Sequence, residues 1–167
     1  MLSSLALLVF PLLMAFAASS DLLTMRISNR LVLVLMAAFF VVAVAAGMPL
    51  PQIGLHVAAA LLALAVSFAF FAPGWIGGGD AKLAAATALW IGFGALLPYV
   101  IYAALLGGAL TLTILVARRW PLPASLIGVH WIGRLHDSKA GVPYGIALAV
   151  AGIIVYRDTA IFQHLAT

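Results

Sequence analysis

Five stretches of the chain, residues 1–20, 31–47, 53–72, 83–117 and 142–156, contain no Lys, Arg, Asp or Glu, and each is bounded by charge or by Gly and Pro. A helix crossing a bilayer needs about 20 apolar residues, so the pattern reads as a series of spans joined by short polar connections. The fourth stretch is too long for one of them. At 1.5 Å per residue a single helix over 83–117 would reach roughly 50 Å, against a hydrocarbon core of about 30 Å. A break is expected within Gly92-Phe93-Gly94-Ala95-Leu96-Leu97-Pro98, where Gly tolerates unusual backbone angles and Pro lacks the N–H that continues a helix. The count becomes six spans, the fourth starting near Asp80.

Composition agrees with the pattern. The chain is 66% hydrophobic and 7% charged, with a mean hydropathy of +1.26, whereas soluble domains carry about 25% charged residues. The expectation is an all-α fold, a polytopic membrane helix bundle of about six transmembrane helices forming one domain over 1–167, with the lipid bilayer covering its outer surface. Residues 1–20 carry no positive n-region and their Arg residues follow rather than precede them, so they read as a retained helix and not a signal peptide. Small residues at Ala84-Ala85-Ala86 and Gly107-Gly108 suit close helix approach.

Charge sets the orientation. Segments 21–30, 73–82 and 118–141 hold Arg26, Arg30, Lys82, Arg118, Arg119, Arg134 and Lys139, while the other side holds only Arg157. Lys and Arg in short loops stay cytoplasmic, so both termini are expected outside. The long 118–141 segment, with Trp120 and Trp131 among its Arg and His residues, is expected along the headgroup layer. The formal charge of +4 and pI near 10.0 come from these scattered flanking residues, so no nucleic-acid partner is expected.

Little chemistry remains available. With no cysteine there is no disulfide, thiolate nucleophile or cysteine-ligated metal, and with no glutamate the His-Glu-x-x-His metalloprotease helix is excluded. His130, His136 and Asp137 lack a recognised ligand spacing, so neither a metal nor a cofactor is expected. Four carboxylates remain: Asp21, Asp80, Asp137 and Asp158. Asp21 ends the first span and Asp80 starts the fourth, both at the cytoplasmic edge in this topology, so the two can face one another. Hydrolysis by two carboxylates needs one ionised, to take a proton from a shared water, and one protonated, to hydrogen-bond the scissile carbonyl. Close like charges favour that single-proton state.

Each aspartate also has a plainer reading. Asp80 closes Gly77-Gly78-Gly79-Asp80, which taken alone reads first as a helix N-cap. The same three glycines, lacking Cβ atoms, would let a substrate strand lie close to the backbone. Asp21 reads equally as a boundary residue balanced by Arg26 and Arg30. Lys82, two residues from Asp80, does not face it on a helix and reads as an inside-flank anchor. His56 lies near the outward end of the third span and reads as a helix-packing or snorkelling residue.

The combination narrows the choice. Asp21 follows the first span and precedes Ile27-Ser28-Asn29, Ile76-Gly77-Gly78-Gly79-Asp80-Ala81-Lys82-Leu83 opens the fourth, and Val142-Pro143-Tyr144-Gly145-Ile146-Ala147 opens the last. This resembles the type IV prepilin peptidase family, particularly the short form of tight-adherence pilus systems. That family has a Gly-x-Gly-Asp motif, matched by Gly77, Gly79 and Asp80, often followed by a Lys-Leu pair, matched by Lys82-Leu83. Its first aspartate precedes Ile-Pro-Asn, where Ser28 here replaces the proline. The resemblance implies that Asp21 and Asp80 are the catalytic pair, with Gly77, Gly78 and Gly79 beside the substrate. It implies an aspartyl endopeptidase that removes the basic leader of a prepilin substrate at the cytoplasmic face of the bacterial inner membrane, with pilus-assembly machinery as a partner. Long members add a cysteine-ligated zinc segment and N-methylate the new terminus. This chain begins directly with a span and has no cysteine, so only the peptidase activity is expected. Readings from other classes are a small proton- or cation-coupled carrier using the same two aspartates, and a noncatalytic pilus-assembly scaffold in which the glycines only pack helices.

Overall fold

A computed structural model describes residues 2–126 and 128–166; one residue each of the expected first span, the 118–141 segment and the expected domain end, namely Met1, Ile127 and Thr167, lies outside the described residues. The regular structure described is all helical: α1 (Leu2–Thr24), α2 (Asn29–Ala45), α3 (Leu50–Phe71), α4 (Gly78–Ala117), a 3-10 turn (Ala124–Leu126), α5 (His130–His136), α6 (Gly145–Tyr156) and α7 (Ala160–Ala166). Of these, α1 over Ala6–Thr24, α3 and α4 are long and apolar enough to cross a membrane, and α2 and α6 are shorter apolar helices. Leu12, Val41, Leu61, Leu97 and Leu105 each leave more than half their surface exposed, an apolar exterior that suits lipid rather than water. The protein is a helical membrane protein.

The 40-residue α4 contains a break at Gly92, with φ 65° and ψ −176°. Asp80 and Thr111 line the same cavity, although a straight helix would hold them about 45 Å apart. The two limbs of α4 therefore double back at Gly92, at the first residue of the stretch where a break is expected. Pro98 lies inside the second limb rather than ending the first. The reversal needs glycine for its left-handed backbone, and also for space, since a Cβ there would stand 2.9 Å from His56 Cε1. His56 is buried, and its Nδ1 lies 2.8 Å from Leu89 O in the turn before the break. Carbonyls at a helix end lack intrahelical partners, so the α3 histidine satisfies one that the reversal leaves over. His56 is accordingly a packing residue of the helix break.

The bundle places α4 against α3, α6 and α2, with α1 against α6, α2 and α7. Its core is aromatic: Phe10 of α1 lies 5.2 Å from Trp90 and 4.7 Å from Tyr156 between ring centroids, and Phe39 of α2 lies 5.7 Å from Trp90. Trp90 Nε1 donates to Leu35 O at 2.9 Å, which fixes a ring that would otherwise bury an unpaired donor. Helix α7 has no counterpart in the expected spans. It follows Thr159, whose hydroxyl accepts from Phe162 N at 3.3 Å, and it buries Ile161 and Leu165.

The 118–141 segment folds back onto the bundle. Arg118 Nε donates to Leu135 O at 2.7 Å, its Nη2 donates to Ala140 O and Gly141 O at 3.1 and 3.0 Å, and Arg134 Nη2 donates to Leu23 O of α1. These bonds carry the chain from the end of α4 to the start of α6, beside the last turn of α1.

Candidate active site

Asp21 sits in the last turn of α1 and is 5% exposed. A buried carboxylate needs hydrogen-bond donors. Gly145, the first residue of α6, donates its N–H to Asp21 Oδ2 at 2.7 Å. The first N–H groups of a helix have no intrahelical acceptor and carry the positive end of its dipole, so the α6 N-terminus meets that need. Residue 145 has to be glycine for this approach, because a Cβ would stand 2.7 Å from both Asp21 Oδ2 and Ile27 Cδ1. The preceding Tyr144 donates its hydroxyl to Ala103 O at 3.0 Å, and its ring lies where a Cβ on Gly107 would come within 2.1 Å. One small residue of the expected Gly107-Gly108 contact surface is thus used, by an aromatic ring rather than a helix backbone.

Asp80 is half-buried in the first turn of α4. The N-cap of that helix is Gly77, with φ −72° and ψ 144°, so Asp80 stands three positions inside it. Its carboxylate turns back over Gly77, with Oδ2 2.9 Å from where a Cβ would be. An acid at this position reaching back to the cap residue is the acidic half of a capping box.

The two carboxyls are brought together. Asp21 and Asp80 line one cavity of about 1050 Å³ with Gly77, Gly78 and Gly79. A cavity of this size admits water and an extended peptide segment. All three glycines border it, while the sides from which their Cβ atoms are missing face protein. Opposite Gly78 is the Phe71 ring at 3.2 Å, and opposite Gly79 is Ile27 Cβ at 3.3 Å. Asp137 Oδ1 instead accepts from Lys139 N at 2.9 Å, and neither Asp137 nor Asp158 borders this cavity.

The segment between α1 and α2 forms the near wall. Met25 takes a positive φ of 52°, and Ser20 Oγ and Thr24 Oγ1 donate to Arg26 O at 3.0 and 3.2 Å. Ser28 caps α2 by accepting from Leu31 N at 3.1 Å, so the serine that replaces the family's proline contributes a hydrogen bond that proline has no group to make. Lys82 Nζ donates to Asn29 Oδ1 at 3.0 Å, tying the start of α4 to the start of α2.

Ile27, Tyr144 and Gly145 are among the residues of the site that gained no role from sequence reasoning. Each lies in a stretch that carries the family resemblance, but which neighbour a side chain meets depends on a fold that joins residues more than a hundred positions apart. The model of the type IV leader peptidase family matches residues 8–112, more than half of the chain, a range that includes both aspartates. No curated protein matches, and no solved structure does.

Proposed function

The chain belongs to the type IV leader peptidase family, and from that premise we propose that Asp21 and Asp80 are the catalytic pair of an aspartyl endopeptidase. Its substrates are prepilins, cut to release the basic leader at the cytoplasmic face of the inner membrane. The observation that carries the reading is that two of only four carboxylates in the chain meet in one cavity beside a glycine run. A scaffold gives no reason for that pairing, and a carrier using the same two aspartates gives none for the family match.

In the proposed reaction a water lies between the two carboxyls. The ionised one takes a proton from the water as its oxygen attacks the scissile carbonyl carbon, while the protonated one donates a hydrogen bond and then its proton to the carbonyl oxygen. Collapse of the resulting gem-diol breaks the C–N bond as the first carboxyl returns its proton to the leaving amine and the second takes a proton back from a gem-diol hydroxyl, which restores the starting pair. The pair needs one proton, which the closeness of like charges favours. The Gly145 N–H supports Asp21 as a hydrogen-bond acceptor throughout. Gly77, Gly78 and Gly79 serve as substrate contacts through their backbone groups, against which an extended segment can pair in a setting where an unpaired backbone is costly.

Six spans with both termini outside complete the proposal, with residues 1–167 as one membrane domain. Support comes from the reversal at Gly92 and from the seven-to-one distribution of Lys and Arg between the two sides. The test is coexpression with candidate prepilins, with mass spectrometry of the new amino terminus. The proposal expects a shortened pilin with the wild type and intact prepilin with Asp21→Asn or Asp80→Asn. Intact prepilin with the wild type, for every candidate encoded beside it, would favour the carrier or scaffold.

A further inference from the structure

We propose that Ile27 is a positioning residue, a spacer that sets the separation of Asp21 and Asp80. The inference rests on the catalytic reading above, since a separation matters only if the two carboxyls act together. Three contacts of this one side chain carry it. Its Cβ lies 3.3 Å from the place of a Cβ on Gly79, the residue directly before Asp80. Its Cδ1 lies 2.7 Å from the place of a Cβ on Gly145, whose N–H holds Asp21. Its side chain also borders the cavity that both aspartates share.

The spacer is anchored to the helix that carries Asp21. The carbonyl just before Ile27, Arg26 O, accepts from Ser20 Oγ and Thr24 Oγ1, while Met25 N donates to Asp21 O at 2.7 Å. Ser28, directly after it, caps α2. The backbone at Ile27 is therefore fixed to α1 on one side and to α2 on the other, and the branched side chain fills the gap between the starts of α4 and α6. Two of the surfaces it meets are glycines, where its carbon atoms face backbone rather than yielding side chains, and it also packs against the hydrophobic core. A β-branched residue with one preferred rotamer transmits position better than a flexible one. Removing the tip frees the start of α6, and removing the whole branch leaves only Cβ and the backbone against Gly79 and so loosens the start of α4 as well, so that the two carboxyls settle closer together.

Two measurements test this on the purified full chain. The first compares kcat and KM of wild type, Ile27→Val and Ile27→Ala on a prepilin peptide. Misplacement by about 1 Å costs on the order of 100-fold, so kcat should fall about 10-fold for Val and about 100-fold for Ala, with KM within about twofold. The second needs no activity. The chain has no cysteine, so Asp21→Cys/Asp80→Cys can be cross-linked with bis-thiosulfonates of graded length. The best length should shorten when Ile27→Ala is added.

A rise in KM at unchanged kcat would make Ile27 a substrate wall and overturn the spacer role. So would an unchanged cross-linking length. If Asp21→Asn and Asp80→Asn both retain turnover, the catalytic reading fails, and the cross-linking still decides the spacing. If both abolish turnover and the Ile27 variants match the wild type, the spacer alone fails.

Discussion

Gly145→Ala separates positioning from stability more sharply than any other single change in this site. The added methyl group would stand 2.7 Å from Asp21 Oδ2, 2.7 Å from Ile27 Cδ1 and 3.0 Å from Asp21 Cγ. Ordinary contact begins at 3.4 Å, so the carboxylate has to retreat by about 0.7 Å or α6 has to shift by as much. Gly145 is not among the glycines with positive φ, so alanine meets no backbone strain there and gains about 0.4–1 kcal/mol from the lower freedom of the unfolded chain. Overpacking costs about 1–3 kcal/mol, and the net loss of stability lies between about zero and about 2.6 kcal/mol. Catalysis is more sensitive: about 1 Å of misplacement costs on the order of 100-fold, so kcat should fall about 10- to 100-fold. The assay is prepilin-peptide cleavage by enzyme purified in detergent, with a thermal unfolding scan of the same sample. A folded Gly145→Ala enzyme with wild-type kcat would refute the claim that the start of α6 positions Asp21.

His56→Ala should lower the unfolding temperature in detergent by an amount equivalent to about 1–3 kcal/mol, the cost of leaving a buried acceptor, Leu89 O, unpaired; cleavage per folded molecule should persist, and an unshifted transition would discount the capping role. Gly92→Ala adds about 1–3 kcal/mol of backbone strain, at φ 65° and ψ −176°, to a 2.9 Å clash with His56, so it should destabilise more, and combining it with His56→Ala should cost less than the two losses added. Tyr144→Phe removes the bond to Ala103 O and should cost about 0.5–1.5 kcal/mol, whereas Gly107→Ala, which displaces the whole ring, should cost more; equal effects would mean the ring is not held there. Tags at both termini should be cut by protease in cells with only the outer envelope permeabilised, and protection of either until the inner membrane is broken would reverse the topology.

The helices were legible because lipid demands long uncharged runs, and α1 to α4 and α6 follow those runs to within a few residues. The break at Gly92 was legible as a necessity, since one helix over 83–117 is too long for a bilayer. Its partner was not, because nothing local ties His56 to a carbonyl on another helix. Helix α7 was missed: it is too short to span, and its two buried residues, Ile161 and Leu165, make a weak pattern. The two aspartates were legible as candidates because carboxylates are so scarce here and topology puts both at one edge of the bilayer, and the family resemblance paired them. Asp80 could be mistaken for an N-cap, and the cap is Gly77 three residues earlier. What the sequence hides is the frame around the pair. The Gly145 amide, the Tyr144 brace and the Ile27 wedge depend on contacts between segments far apart along the chain, where periodicity and motif spacing carry no information.

Joint action of Asp21 and Asp80 is decided by a scan of all four aspartates, Asp21→Asn, Asp80→Asn, Asp137→Asn and Asp158→Asn, each purified, checked for folding by thermal unfolding, and assayed on one prepilin peptide. No detectable product is expected from the first two and near-wild-type rates from the last two. Turnover by a folded Asp21→Asn or Asp80→Asn enzyme, or silence from Asp137→Asn, would contradict it.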